Sequence, residues 1–395
     1  MQWASVISSA TNLDSALSEA QNALAEQLDN ARPDLLFVFV SPGYEDGLSK
    51  IPELVHRHLD PDTLIGCTAL GVIGAGREVE HHIDGQPALS LTAALLPEVN
   101  LHAFHLESEE LPTPDAAPEA WVEKLQVAQD PPAHFVLLTD PYCNPQPLLM
   151  GLDFAYSQGS RVGGMASQQQ DNYLFLDDAV FTSGLVGVAL QGNLQVDTIV
   201  AQGCRPIGIP MTVTGCERNI LLELDQRPAV EVLVELFHSL PPADQELLRH
   251  ALHLGIASTE FQENFKQGDF LIRNLMHIDQ EKGYIAIQDM LRSGQTVQFH
   301  LRDASTATED LGLMLEQYQM QPRPTRPAGG LLFTCTGRGQ YLFDEPNHDS
   351  DAFKDVLGNL PLGGFFCGGE IGQVGASTYL HGYTSSFAIF RPLET

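Results

Sequence analysis

Leu13, Ala16, Leu17, Ala20, Leu24 and Leu28 recur at the spacing of one helix face behind Thr11 and Asn12, so the pattern predicts a capped first helix. Residues 1–9 alternate as an edge strand does. Residues 34–40 form a near-continuous apolar run, the signature of a strand buried on both faces. Around such runs one order of segments occurs three times. Residues 35–44 read as a strand into a turn, 47–59 as a helix, 64–74 as a glycine-rich stretch and 88–96 as a strand. The second series is 134–143, a helix after Pro145, 161–167 and a strand at 184–190. The third is 329–339, a helix at 349–360, the stretch 361–372 and a closing strand at 380–390. The spacing is unequal, so this is no solenoid; it looks like a duplicated strand-helix-strand unit set inside larger domains.

Between the series, 101–106 reads as a strand and 107–118 as a Pro- and Glu-rich loop. Two strand-like segments fill 192–214, and 216–218 reads as a domain boundary, giving domains 1–217 and 218–395. A strand at 219–224 precedes a helix at 228–240 with Val230, Leu233, Leu236 and Phe237 on one face. Short alternating strands between 270 and 301 form a meander, and 308–319 reads as a helix. The expected fold class is α/β (α+β mixed): two mixed β-sheet domains with helices on the outer faces.

Composition narrows the class. With 395 residues the chain can build two or three cores, and 43% hydrophobic content fits a packed protein. A formal charge of −31 repels phosphate, so neither nucleic acid nor an anionic membrane is an expected partner. Six cysteines without a CxxC pair fit reduced thiols in a cytoplasm, not structural zinc. The first residues lack a basic stretch before an apolar one, so no signal peptide is expected, and no apolar window is long enough to span a membrane.

The candidate chemistry sits at the strand ends. Gly337-Arg338-Gly339 closes a buried strand with free backbone N–H groups and a permanent cation, which suits a small anion or zwitterion. Arg338 would clamp a carboxylate and Glu370 an ammonium. Cys335, His381 and Glu370 also have the residue types of a nucleophile, base and orienter, so Cys335 is a candidate thiol. The alternatives are structural: glycines for a tight turn, Glu370 as a cap, His381 as a satisfied strand histidine, Cys335 as a small buried hydrophobe. The matching turns carry Ser41 and Asp140. Were the three turns to converge, they would offer a hydroxyl, a carboxylate and a guanidinium; as residues before proline, both are also common turn-starters. The run 71–76 lacks the third glycine of a dinucleotide site, and no Walker A sequence is present. Arg77, Glu78 and Glu80 either line a pocket or form an exposed charged loop. His102 and His105 point to opposite faces if 101–106 is a strand. With no CxxCH, covalent haem is excluded.

Seven pieces in order, 39–43, 65–67, 202–208, 337–339, 363–366, 369–372 and 381–384, resemble the FIST family over almost the whole chain. The resemblance implies a sensory or signal-transduction module that binds small ligands, amino acids among them. Some bacterial members look like haem-dependent nitric oxide sensors, which keeps haem as a possible cofactor. Eukaryotic relatives carry an F-box, for which this chain has no room. Together these readings give candidate ligand-binding residues Arg338, Gly337, Gly339, Glu370, His381, Tyr383, Thr384, Ser41, Cys67 and Asp140. The expected function is a cytoplasmic sensor holding an amino-acid-like ligand between its two halves and signalling to a protein in trans. A gas sensor and a Cys335-dependent thiol enzyme or redox sensor are the alternatives. On this reading Arg338→Ala removes ligand binding and leaves the fold intact.

Overall fold

The computed structural model describes every residue except 45–46, 58, 169, 171, 260–264, 266–267 and 394–395. It divides into two compact units, residues 1–200 with 313–395, and residues 201–312.

The first unit holds three six-stranded mixed sheets. In each, a parallel pair is flanked by an antiparallel strand: Leu35–Val40 between Thr63–Thr68 and Leu89–Leu95, Ala133–Thr139 between Arg161–Met165 and Leu185–Gly192, and Gly329–Cys335 between Leu362–Cys367 and Thr384–Arg391. The central strands are buried throughout, as their near-continuous apolar runs require. Alternation sends their side chains two ways. Phe37, Phe39, Val136, Leu138, Leu331 and Phe333 meet in one core shared by the three sheets. There Trp3 stacks on Phe390 at 4.4 Å and Phe39 packs on Phe365 at 4.9 Å. Leu36 and Val38 point outward onto the helix Leu13–Gln27, whose Asn12 cap accepts from the Ser15 N–H. Phe135 and Leu137 point outward onto Trp121, Leu148 and Leu152 of two further helices. Helices thus cover outer faces, as expected.

Gly151 shows how tight that cover is. A Cβ at this position of the helix Gln146–Ala155 would stand 1.9 Å from the Trp121 ring. Glycine to alanine inside a helix ordinarily gains about 1 kcal/mol. Here we expect Gly151→Ala to cost ~1–3 kcal/mol through overpacking, read as a lower urea midpoint.

The second unit is an antiparallel sheet of seven strands. Its long strand Cys204–Glu217 pairs at one end with Thr296–Arg302 and at the other with Ile220–Leu224, so the pairings close into a ring rather than an open meander. The helix Ala229–Ser239 packs Val230 and Leu233 against Leu221, Leu224 and Ile285. Arg205 bonds Asp303 and Asp244 inside this unit, a structural role.

Several boundaries differ from the sequence reading. The helices Pro118–Leu125 and Pro242–Ala251 lie where no helix was expected. The span 47–59 holds a 3₁₀ turn and the short helix Ile51–His56, and residue 58 lies outside the described residues. The closing strand is two strands, Ser377–His381 and Thr384–Arg391, which belong to different sheets. Tyr383, with φ of 65°, breaks the run.

Candidate functional site

The strand Gly329–Cys335 delivers the chain into a buried turn closed by the Arg338 N–H on the Cys335 carbonyl, at 2.8 Å. Gly339 has φ 62° and ψ −150°, a conformation essentially confined to glycine. A Cβ there would also meet the Glu80 carboxylate at 2.4 Å. The Gly337-Arg338-Gly339 sequence therefore makes the tight turn and also aims the arginine inward.

Arg338 is fully buried. Its Nε and Nη2 donate to the two oxygens of Asp349 at 2.9 and 2.8 Å, a bidentate pair. The carboxylate it clamps in this structure is the protein's own. Asp349 also accepts from Thr334 Oγ1 at 2.8 Å, from the Ser385 hydroxyl, and from His348 Nδ1 at 2.9 Å. Burial, the largest influence on each, disfavours both charges, and mutual attraction outweighs it. Arg338 stands above the ordinary arginine pKa and Asp349 far below the usual carboxylate range. The guanidinium lies 5.2 Å from the Phe343 ring, which stacks on His348. Its third nitrogen, Nη1, has no acceptor among the described residues.

Two carboxylates from the N-terminal half complete this group. Arg77–Glu80 is the edge strand of the third sheet, paired with Gly71–Gly74. Glu78 and Glu80 are 6% and 1% exposed, so they are no exposed charged loop. Glu78 Oε1 accepts the Ser350 N–H at 2.7 Å, capping the helix His348–Leu357 from another part of the chain. Glu80 Oε1 accepts the Gln340 N–H at 2.9 Å. Burial, aided by Asp349, pushes Glu78 up to about 8 and Glu80 up to about 7. The clue in the sequence was local: Val72-Ile73 and Val79 flank Gly74-Ala75-Gly76, a hairpin pattern that places 78 and 80 on one face.

Glu370 and His381 lie opposite each other on paired strands and are both buried. Glu370 Oε2 accepts from the Thr384 N–H at 3.1 Å and its hydroxyl at 2.9 Å, and His381 Nε2 lies 3.1 Å from the Gly372 carbonyl. Tyr383 makes the left-handed bend that turns Thr384 back onto Glu370. Arg338 feels both Cys335 and Glu370 electrostatically, so these predicted residues share one neighbourhood. Cys335 pairs in register with Cys367, and Gly337 N–H points at Cys335 Sγ at 3.5 Å. Cys67 and Cys367 are fully buried, and burial holds both thiols well above their ordinary pKa, so they are inert as thiolates.

Asp140 serves its own turn, and Ser41 ties its strand end to the start of the neighbouring strand. Ser41 Oγ accepts the Ala88 N–H at 2.7 Å, and Asp140 Oδ1 accepts the Tyr142 N–H at 2.7 Å. A cavity of about 500 Å³ borders Gly43, Tyr44, Asn12, Lys50 and Arg57. A second, of about 210 Å³, is lined by Ser350, Phe353, Lys354, Ala75 and Gly76. Haem needs a ligating side chain on such a wall. Neither cavity carries a histidine, cysteine or methionine, and burial holds the Tyr44 phenol above its ordinary pKa. His102 and His105 lie three apart on one strand, His105 stacked on Phe181. The described residues of these walls do not fit haem.

Residues 34–227 match the FIST N domain and residues 229–373 the FIST C domain. An uncharacterised protein of Mycobacterium tuberculosis is 38% identical over 388 residues, 97% of this chain and 98% of that one. One of Mycobacterium bovis is 37% identical over 379 residues, 95% of each chain. An F-box/LRR-repeat protein of Arabidopsis thaliana is 23% identical over 304 residues, 65% of this chain and 57% of that one. No helix among the described residues is long and apolar enough to cross a membrane. The chain belongs to the FIST family, a family of sensory and signal-transduction proteins that bind small ligands.

Proposed function

We propose that this protein is a cytoplasmic sensor that recognises an amino-acid-like ligand through Arg338 and reports occupancy to a signalling protein in trans. One observation carries the reading: Arg338 is wholly buried, two of its nitrogens are matched to Asp349, and Nη1 has no acceptor among the described residues. A buried donor left unmatched costs about 1–3 kcal/mol. A carboxylate or carbonyl oxygen of a ligand would remove that cost, and an ordered water is the competing occupant. The surrounding group draws on both family domains, Glu78 and Glu80 from the first and Arg338, Asp349 and Glu370 from the second. A ligand held there would lock residues distant in sequence to one another, which gives binding a conformational consequence.

The test is native mass spectrometry of freshly purified protein, followed by a thermal-shift screen of small carboxylates and amino acids. We expect a binder that, at a hundred times its dissociation constant, stabilises the native state by about 2.7 kcal/mol. In Arg338→Lys, which keeps a cation beside Asp349 but loses the planar fork, that gain should vanish. No co-purified mass and no shift from any compound would remove the reading.

A further inference from the structure

We propose that Glu78 and Glu80 form the seat for the cationic, N–H-donating end of the ligand, an inference that rests on the reading of Arg338 as its recognition centre. Two residues apart on one strand, these side chains leave the same face. Three bonds fix them there: Ser350 N–H to Glu78 Oε1, Gln340 N–H to Glu80 Oε1, and the Glu78 N–H to Asn347 Oδ1 at 2.7 Å. Each carboxyl thus uses one oxygen. The other oxygen, Oε2, is buried in both cases and has no hydrogen-bond donor among the described residues. The Ser350 hydroxyl, 1% exposed, faces the Glu78 carboxyl as a side-chain donor, too loosely placed to satisfy it fully.

These unmatched atoms specify a complement. Arg338 Nη1 asks for an acceptor, while the two carboxyl oxygens, once they ionise, ask for donors. A primary ammonium supplies three N–H donors from one atom. The 210 Å³ cavity is lined by Ser350, the residue whose N–H holds Glu78. At ~30 Å³ per water it has room for a molecule of only a few heavy atoms.

The charges around the seat set its proton balance. Asp349 faces both carboxyls from the helix, and Asp84 faces Glu80 from the chain that follows it. His82 Nε2 stands 3.7 Å from Glu80 Oε2, beyond hydrogen-bond reach. Arg338 is the buried cation of the group, and Asp349 takes its two bonds. Crowded by acids and cut off from water, Glu78 and Glu80 hold protons near neutral pH. An arriving ammonium stabilises the carboxylate form, so the proton leaves for solvent as the ion pair forms. Binding therefore releases protons and tightens as pH rises.

The experiment is calorimetric titration of the full chain with L-alanine, ethylammonium and propionate between pH 6 and 8.5. The expected result is that L-alanine and ethylammonium bind, propionate binds more weakly, and ammonium binding strengthens about tenfold from pH 6 to pH 7. Glu78→Gln and Glu80→Gln should weaken L-alanine at least about tenfold and flatten its pH dependence. The wild-type pH series needs no variant, so a misfolded variant leaves the test intact. Propionate binding as tightly as L-alanine, with no pH dependence, overturns the seat and leaves the Arg338 reading standing. L-alanine binding to Arg338→Lys as tightly as to wild type supports the seat and overturns Arg338, since ethylammonium has no carboxylate for Arg338 to hold. No binding by any of the three overturns the seat, and the mass of a co-purified molecule then decides Arg338 separately.

Discussion

Arg338→Ala should destabilise the first unit by about 3–5 kcal/mol, enough to unfold a marginal preparation at physiological temperature. The pair is fully buried, so removing the guanidinium leaves the Asp349 carboxylate charged and cut off from water. Thr334, Ser385 and His348 still bond it, but none of them supplies the bidentate cation. This replaces the simpler expectation from sequence that the variant loses ligand and keeps its fold. The double variant Arg338→Met/Asp349→Asn, of similar volume and without buried charge, should recover most of the loss. Urea midpoints of the wild type, the two single variants and the double variant form the cycle that measures this coupling. A cost below about 1 kcal/mol for Arg338→Ala would mean that water already reaches the pair, as at an exposed ion pair.

The central strands were legible because their signal is one of length and continuity. Residues 35–40 are apolar without interruption, and 133–139 and 329–335 nearly so, broken by His134, Thr139 and Thr334, a pattern that suits a strand covered on both faces. The first helix was legible for a matching reason: a 3.6-residue stripe with its cap in front. Arg338 stood out because glycine on each side of a charge marks an enforced turn. Its partner did not. Asp349 lies eleven residues on, in a stretch that reads as an ordinary amphipathic helix, and nothing local says that its carboxylate turns inward. Glu78 and Glu80 were harder still. Their burial comes from sheet pairing across nearly three hundred residues, since Leu362–Cys367 pairs with Gly71–Gly74, which in turn pairs with Arg77–Glu80. Charge in a short segment reads as solvent exposure until such a partner is known. Ser41 and Asp140 show the converse. Their positions at strand ends match that of Cys335, yet Asp140 closes its own turn and Ser41 is spent on the Ala88 N–H beside the neighbouring strand.

Glu78→Gln should remove a pH dependence of stability that the wild type shows between about pH 5 and pH 8. The folded state raises the Glu78 pKa from 4.5 to about 8, through burial first and then the Asp349 charge. A raised carboxyl pKa means the fold prefers the protonated form. Its stabilising contribution is therefore complete below pH 4.5 and is lost as pH climbs through the folded value. The loss runs at about 1.4 kcal/mol per pH unit for one such group. Glu80→Gln should act in the same direction over a shorter span, since its folded value is about 7. Other groups tilt the curve the opposite way. His134 is pushed down to about 4 by burial, so it costs stability as pH falls below 6.5, and the depressed Asp349 adds to that at still lower pH. The wild-type profile alone thus mixes opposing slopes. The difference between wild type and Glu78→Gln isolates one of them, because the amide keeps the acceptor for the Ser350 N–H and cannot ionise. Urea midpoints at pH 5, 6.5 and 8 should show the variant gaining on the wild type at each step. A difference that stays flat across that range would mean Glu78 is already ionised and solvated at neutral pH, and its second carboxyl oxygen would no longer call for a ligand.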